Sequence, residues 1–197
     1  MLDQALPQAL FSSRYALSYA THLHGWDVSS PLARCAGRSS FLLLLQLQAP
    51  FQHLLIGACS RGSYKAEDGV VGEGNTARIF RIDTSKLPAQ PDEAVKAYTW
   101  IGLAEPAEYN SLVKMVQEGQ VRGELLSALD QLCTISKDGV TFGASLEHAC
   151  NAIRITGALD KVYLGPSETY NNPCLVGEQA HAVVEVGLRE IEIYTLP

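Results

Sequence analysis

No stretch of this 197-residue chain is apolar for long enough to cross a bilayer as a helix. Its most hydrophobic run, FLLLLQLQ, covers only Phe41 to Gln48, a length that fits a strand buried on both faces. Basic charge is also scarce. Fifteen Lys and Arg against 21 Asp and Glu leave a formal charge of -6, and the cations are scattered. A phosphate backbone therefore has nothing obvious to bind, which argues against nucleic acid as a partner. The five cysteines, Cys35, Cys59, Cys133, Cys150 and Cys174, are widely spaced and form no C-x-x-C. An odd count without that motif excludes both a disulfide framework and a structural zinc site as expectations. Reduced thiols are expected, several acting as small buried hydrophobes. The opening MLDQALPQALFSS has neither the basic start nor the long apolar core of a secretory signal, and no lipidation motif is visible. A cytoplasmic protein with no membrane insertion is expected. There is no internal repeat, low-complexity tract or interdomain linker.

What is present is a hydrophobic fraction of 47%, enough for one sizeable core. Period-two alternation predicts strands over Arg14 to Thr21, Ser40 to Leu47, His53 to Cys59, Arg78 to Ile82 and Lys96 to Ile101. Further strands are predicted over Thr141 to Ser145, Asn151 to Thr156, Lys161 to Leu164, Ala182 to Val186 and Glu190 to Leu196. A short helix is expected after Ser29 or Ser30 as cap, with Pro31 at its start and Gly37 closing it. Pro106 to Cys133 lacks alternation. Its Leu112, Met115 and Val116, then Leu125, Leu126 and Leu129, follow helical spacing, with Gly119 and Gly123 as dividers. SRGSYKAEDGVVGEGNTA reads as loop, and DTSKLPAQPDE as an exposed connection. Many short strands with few helices predict an α+β, mostly β fold, a two-layer antiparallel β-sandwich with peripheral helices. Leu43, Leu45, Ile56, Phe80, Trp100 and Ile193 are the expected core.

The most unusual run is LGPSETYNNPCL, Leu164 to Leu175. Gly165 and Pro166 suit a turn, Asn171 and Asn172 tolerate left-handed geometry, and Pro173 fixes the exit. The hydroxyls of Ser167 and Thr169 can satisfy backbone groups that a loop leaves unpaired, while Tyr170 and Leu175 would pin it to the core. Along the chain YALSYATHLHG, LLIGACS, GEGNTARIFRI, AYTWIG, NPCL and EIEIYTL occur in succession. That succession resembles the TLDc domain of the oxidation-resistance proteins, over roughly residues 14 to 196, behind an N-terminal extension at 1–13. The family's Ser/Cys-x-Thr-Phe/Tyr-x-Asn-x-x-Leu run is matched from Ser167 to Leu175. Where the family commonly has an acidic residue after its Gly-x-Gly, this chain has Asn75, and 106–133 reads as a helical insertion.

The resemblance implies a stand-alone, non-catalytic protein-binding module linked to oxidative-stress resistance. It further implies V-ATPase V1 subunits as a protein partner. Glu73, Asn75, Ser167, Glu168, Thr169, Tyr170, Asn171 and Asn172 are the candidate signature or partner-binding residues. Other chemistries read weakly. Cys174 in its loop suggests an exposed thiol, but His181 is the nearest histidine in sequence and no basic residue adjoins to activate the sulfur. His22 and His24 would share a strand face, and Glu147 and His148 could add ligands, yet His-x-His is common by chance. Gly72-Glu73-Gly74 lacks the Lys-Ser/Thr of a phosphate loop and reads as a tight turn. Glu190 and Glu192 read as a solvated face over buried Ile191 and Ile193. No catalytic, cofactor or metal residue is expected. The alternatives are a structural component of a cytoskeletal or other large assembly, and a thiol-based redox protein or hydrolase using Cys174 or Cys59.

Overall fold

The computed structural model describes residues 15–38, 40–61, 69–70, 77–87, 89–101, 114–115, 117–119, 133–136, 138–143, 145, 150–167, 169–177 and 183–196. The chain opens with β1 (Ala16–Ala20), then two short helices, α1 (Thr21–His24) and α2 (Ser29–Cys35). The long apolar run forms β2 (Ser40–Leu47), followed by β3 (Leu54–Arg61), β4 (Gly69–Val70) and β5 (Arg78–Asp83). A one-turn helix, α3 (Pro91–Ala94), leads straight into β6 (Val95–Thr99). The remaining strands are β7 (Cys133–Ser136), β8 (Gly139–Phe142), β9 (Ile153–Thr156), β10 (Lys161–Leu164) and β11 (Val184–Thr195).

Among the described residues every pairing is antiparallel. The hydrogen-bonded order is β4-β7-β8-β9-β10-β11-β2-β3-β5-β6, with β1 also on β11. The path folds back on itself, because Phe41 of β2 and Phe142 of β8 have ring centroids 5.9 Å apart. Four strand spacings along a flat sheet would separate them by roughly 19 Å. One buried cluster draws on both halves: Leu43, Leu45, Ile56 and Ile193 meet Ile153, Ile155, Val162 and Val186. The expected two-layer sandwich is present, with the layers joined rather than separate.

β11 makes the join. Its residues Val184 to Gly187 pair with β10, and its residues Leu188 to Thr195 pair with β2, with a register shift between Leu188 and Glu190. Bulges of this kind bend a strand and let it pass from one layer to the other. Gln48 braces the bend: its backbone N–H donates to the Gly187 carbonyl (2.9 Å), and its Nε2 donates to the Leu188 carbonyl (3.0 Å). A Cβ on Gly187 would lie 2.4 Å from Gln48 Oε1, so a side chain there would displace the Gln48 amide from its bond. The two strands expected at Ala182 to Val186 and Glu190 to Leu196 are therefore one.

β2 is apolar on both sides, as its composition predicts. Phe41, Leu43, Leu45 and Leu47 enter the main core. Leu42 joins Cys59, Phe80 and Ile82 in a second, smaller cluster. Phe80 is buried in the core as expected, within this second cluster, and Trp100 is half-buried at the main core's margin.

Other expectations shift locally. Neither Ser29 nor Ser30 caps α2; the Asp27 carboxylate accepts the Ser29 N–H (2.8 Å) and the Ser29 hydroxyl. These bonds hold the Asp27 carboxyl below its ordinary range. Gly37, at φ +75°, turns the chain beyond the helix as expected. Cys133 begins β7 rather than ending a helix, because it registers against Phe142 in a hairpin. Gly69–Val70, expected as loop, pairs with β7. Thr141 belongs to a strand that starts at Gly139, while Ser145 makes an isolated bridge to Cys150. Within the expected helical insertion, Lys114, Met115 and Gln117 are helical and Gly119 has φ +72°. The rest of 106–132, and the 1–13 extension, lie outside the described residues.

Gly57 of β3 faces Phe80 so closely that a Cβ there would sit 2.2 Å from the ring. The ring is fully buried and has no room to retreat. Gly57→Ala is expected to cost about 1–3 kcal/mol through overpacking. Urea denaturation checks this, and Phe80→Leu introduced alongside should recover part of the loss; an unchanged midpoint for Gly57→Ala refutes the packing.

Candidate functional site

The loop that leaves β10 is built as a closed unit. Ser167 and Asn172 exchange both backbone hydrogen bonds, each at 3.1 Å, which closes the loop at its base. Asn171 supplies the left-handed backbone the loop needs, at φ +46°. The Gly165 N–H donates to the Ala152 carbonyl (3.2 Å), tying the loop's start to the residue just before β9.

Four of the sequence-predicted residues are buried together: Ser167, Thr169, Tyr170 and Asn172. Ser167 Oγ lies 2.9 Å from Thr169 Oγ1, and Asn172 Nδ2 donates to the carbonyls of Pro173 (2.7 Å) and Gly165 (3.3 Å). Gly143, just past β8, makes space for them. A Cβ there would lie 2.6 Å from the Tyr170 ring and 2.9 Å from both hydroxyl oxygens. Its own φ is +62°, and Asn151 Nδ2 donates to its carbonyl at 2.7 Å. Asn171 faces solvent. Glu73, Asn75 and Glu168 lie outside the described residues, as do Glu147, His148, His181 and the Gly72–Gly74 turn.

The loop also clasps the other layer. The Ile101 N–H, just beyond β6, donates to the Thr169 carbonyl (2.8 Å), and Arg81 Nη1 of β5 donates to the Leu175 carbonyl (3.3 Å). Arg81, Ile101 and Gly143 were not singled out in the sequence. No local signal marks them, because their partners lie tens of residues away.

Cys174 is buried, contrary to the exposed thiol expected of its loop. Its Sγ donates to the Leu164 carbonyl at 3.3 Å. Burial raises the thiol above its ordinary range despite the Val176 and Gly177 backbone N–H groups and the Arg81 charge. Burial likewise lifts Cys35 to about 11 and Cys59 to about 12. Thiols held neutral in this way are poor nucleophiles.

The two histidines do not share a strand face, since β1 ends at Ala20 and α1 turns them apart. His24 Nδ1 accepts the Ala20 N–H (3.0 Å) and its ring stacks on Tyr19 at 5.7 Å. His22 Nδ1 lies 3.1 Å from Glu190 Oε1. That carboxylate also accepts Thr21 Oγ1 (2.6 Å) and the His22 N–H (3.2 Å). Burial pushes the Glu190 carboxyl up, but the bonds from Thr21 and His22 outweigh it and hold it below its ordinary range. Glu190 is therefore an anchor between α1 and β11, not part of a solvated face. Glu192 differs, accepting the Tyr194 hydroxyl at 3.1 Å. Among the described residues no three His, Cys, Asp or Glu side chains are grouped to hold a metal ion.

The sequence model of one family, TLD: TLDc domain, matches residues 1–197. No curated protein matches the chain.

Two outcomes test the loop. Thr169→Val removes the buried Ser167–Thr169 hydroxyl bond and should cost about 1–3 kcal/mol. Asn171→Val forces a branched side chain into left-handed backbone and should cost about 1–3 kcal/mol, whereas Asn171→Gly should be close to neutral. Denaturant midpoints measure both; equal effects of Val and Gly at 171 would remove the backbone argument.

The thiols give an alkaline signature. Cys35, Cys59 and Tyr19 are raised by burial from 9.0, 9.0 and 10.0 to about 11, about 12 and about 12. The unfolded chain therefore releases these protons first, so the stability they contribute is whole below about pH 9 and is lost as pH climbs towards about 12. Urea midpoints at about pH 8 and about pH 10.5 should fall in that order. A midpoint that holds or rises contradicts the burial.

Proposed function

Because the chain belongs to the TLDc domain family, a family commonly linked to oxidation resistance, we propose that it is a non-catalytic docking module. The single observation that carries this reading is the family match over residues 1–197. By family analogy its partner is the cytosolic sector of the vacuolar proton pump, and its setting is the cytoplasm. Binding of this kind asks for a rigid platform and no reactive group. The loop at 165–177 is tied to both layers, which gives such a platform. The buried, neutral thiols weigh against redox or hydrolytic use of Cys174.

The proposed surface combines the end loops around 61–75, the 165–175 loop and the 106–133 insertion. Two exposed apolar side chains flank the loop. Ile101 is 55% exposed and is tied to Thr169. Val183 is 42% exposed, its Cγ2 3.5 Å from where a Gly165 Cβ would be. Exposed apolar groups beside a fixed loop suit the centre of an interface.

Pull-down from cell extract with the intact chain and with Ile101→Asp/Val183→Asp tests this. The double variant should fold normally and recover pump subunits at least about tenfold less, as loss of a hot spot of about 1.4 kcal/mol or more requires. A third bait, with 106–133 replaced by a Gly-Ser linker, tells whether the insertion contributes. Turnover of peroxide or an ester by purified protein, abolished by Cys174→Ala, would replace docking with catalysis.

A further inference from the structure

At the end of the sandwich next to β1 lies a cavity of about 440 Å³, lined by Ala16, Leu17, Ser18, Arg34, Arg38 and Thr195. Its cations come together by local geometry. Arg34 sits in the last turn of α2; the chain then turns at Gly37, φ +75°, and the Arg38 N–H donates to the Cys35 carbonyl at 3.2 Å. That turn returns Arg38 to the cavity that Arg34 already borders.

Among the described residues neither guanidinium forms an ion pair, and no carboxylate lines the cavity. In a chain of formal charge -6 this is unusual, because acidic side chains outnumber basic ones. Arginines at a helix C-terminus commonly serve its carbonyls, but neither guanidinium here donates to one among the described residues.

The hydroxyls add a further donor. Ser18 Oγ and Thr195 Oγ1 lie 2.6 Å apart, so one hydrogen is shared between them. Each hydroxyl carries one hydrogen, and the second remains to be donated. Two guanidiniums and a hydroxyl hydrogen meet at one cavity. That lining offers hydrogens and little acceptor capacity from side chains, which suits an oxyanion with several acceptor oxygens. The volume exceeds that of a bare phosphate and falls in the range of small-molecule sites. Ala16 and Leu17 provide an apolar wall, with Leu17 42% exposed.

We propose that this cavity binds a phosphate monoester, its phosphoryl oxygens held by Arg34, Arg38 and the Ser18–Thr195 hydroxyl pair, and its organic group against Ala16 and Leu17. The site is separate from the 165–177 loop and does not rest on the docking function. The ester can be free or can be the headgroup of a phosphorylated lipid; the phosphoryl chemistry is the same.

The test is calorimetric titration of the full chain with inorganic phosphate and with phenyl phosphate. It is paired with co-sedimentation on phosphatidylcholine vesicles with and without phosphatidylinositol phosphate. Phenyl phosphate should bind one per chain and more tightly than inorganic phosphate, if the ester is free. Phosphoinositide-dependent sedimentation with weak soluble binding assigns the headgroup. In either arm Arg34→Gln/Arg38→Gln should weaken binding at least about tenfold, as expected when charge-assisted bonds are removed. Arg34→Lys/Arg38→Lys should retain part of it. Both arginines are exposed, so thermal midpoints of these variants should match the parent and exclude misfolding. Binding that survives the glutamine changes, or no response to any probe up to roughly 10 mM, a limit of about -2.7 kcal/mol, overturns the proposal.

Discussion

The fold depends on one strand belonging to two layers. β11 lends its first residues to β10 and its later ones to β2, and every other pairing is arranged around that division. A strand can do this only if its backbone bends without losing the partners of its polar groups. Gln48 meets that requirement at the bend by bonding the carbonyls of Gly187 and Leu188. Gly187 in turn keeps the space that Gln48 occupies. The closed core follows, since a sandwich whose layers share a strand cannot slide apart.

A second constraint also joins the two layers. The loop after β10 reaches across to Arg81 and Ile101, near the far edge of the other layer. The shared strand joins the layers through the sheet and the loop joins them through side chains and turns. What gives the Ser-x-Thr-Tyr-x-Asn run its value is therefore structural. The buried Ser167 and Thr169 hydroxyls partner each other and the Asn172 amide nitrogen bonds the Gly165 and Pro173 carbonyls, which apolar residues of the same size could not do. The same burial makes Cys174 a packing residue.

Much of this architecture is legible in the residues alone. Alternation locates most of the strands because one face of each packs on the core, and the two-sided apolar character of Phe41 to Leu47 marks the strand buried on both sides. The Asn and Gly positions that need left-handed backbone, Asn171 and Gly37, are visible because few other residues adopt it. The signature run and its family are legible for the same reason: turn chemistry is local.

What only the tertiary structure decided involves partners distant along the chain. Nothing near residues 187 to 190 says that two apparent strands are one; that depends on Gln48, far away in sequence. Cys174 is buried rather than exposed because the loop folds inward over Gly143. Glu190 is an anchor rather than a solvated acid because α1 brings Thr21 and His22 to it. Arg34 and Arg38 share a cavity with Ser18 and Thr195 only because β1 lies against β11. Periodicity and turn chemistry are properties of neighbouring residues and can be read in order. Burial, charge environment and the meeting of remote side chains are set by chain closure, which no short window of sequence contains.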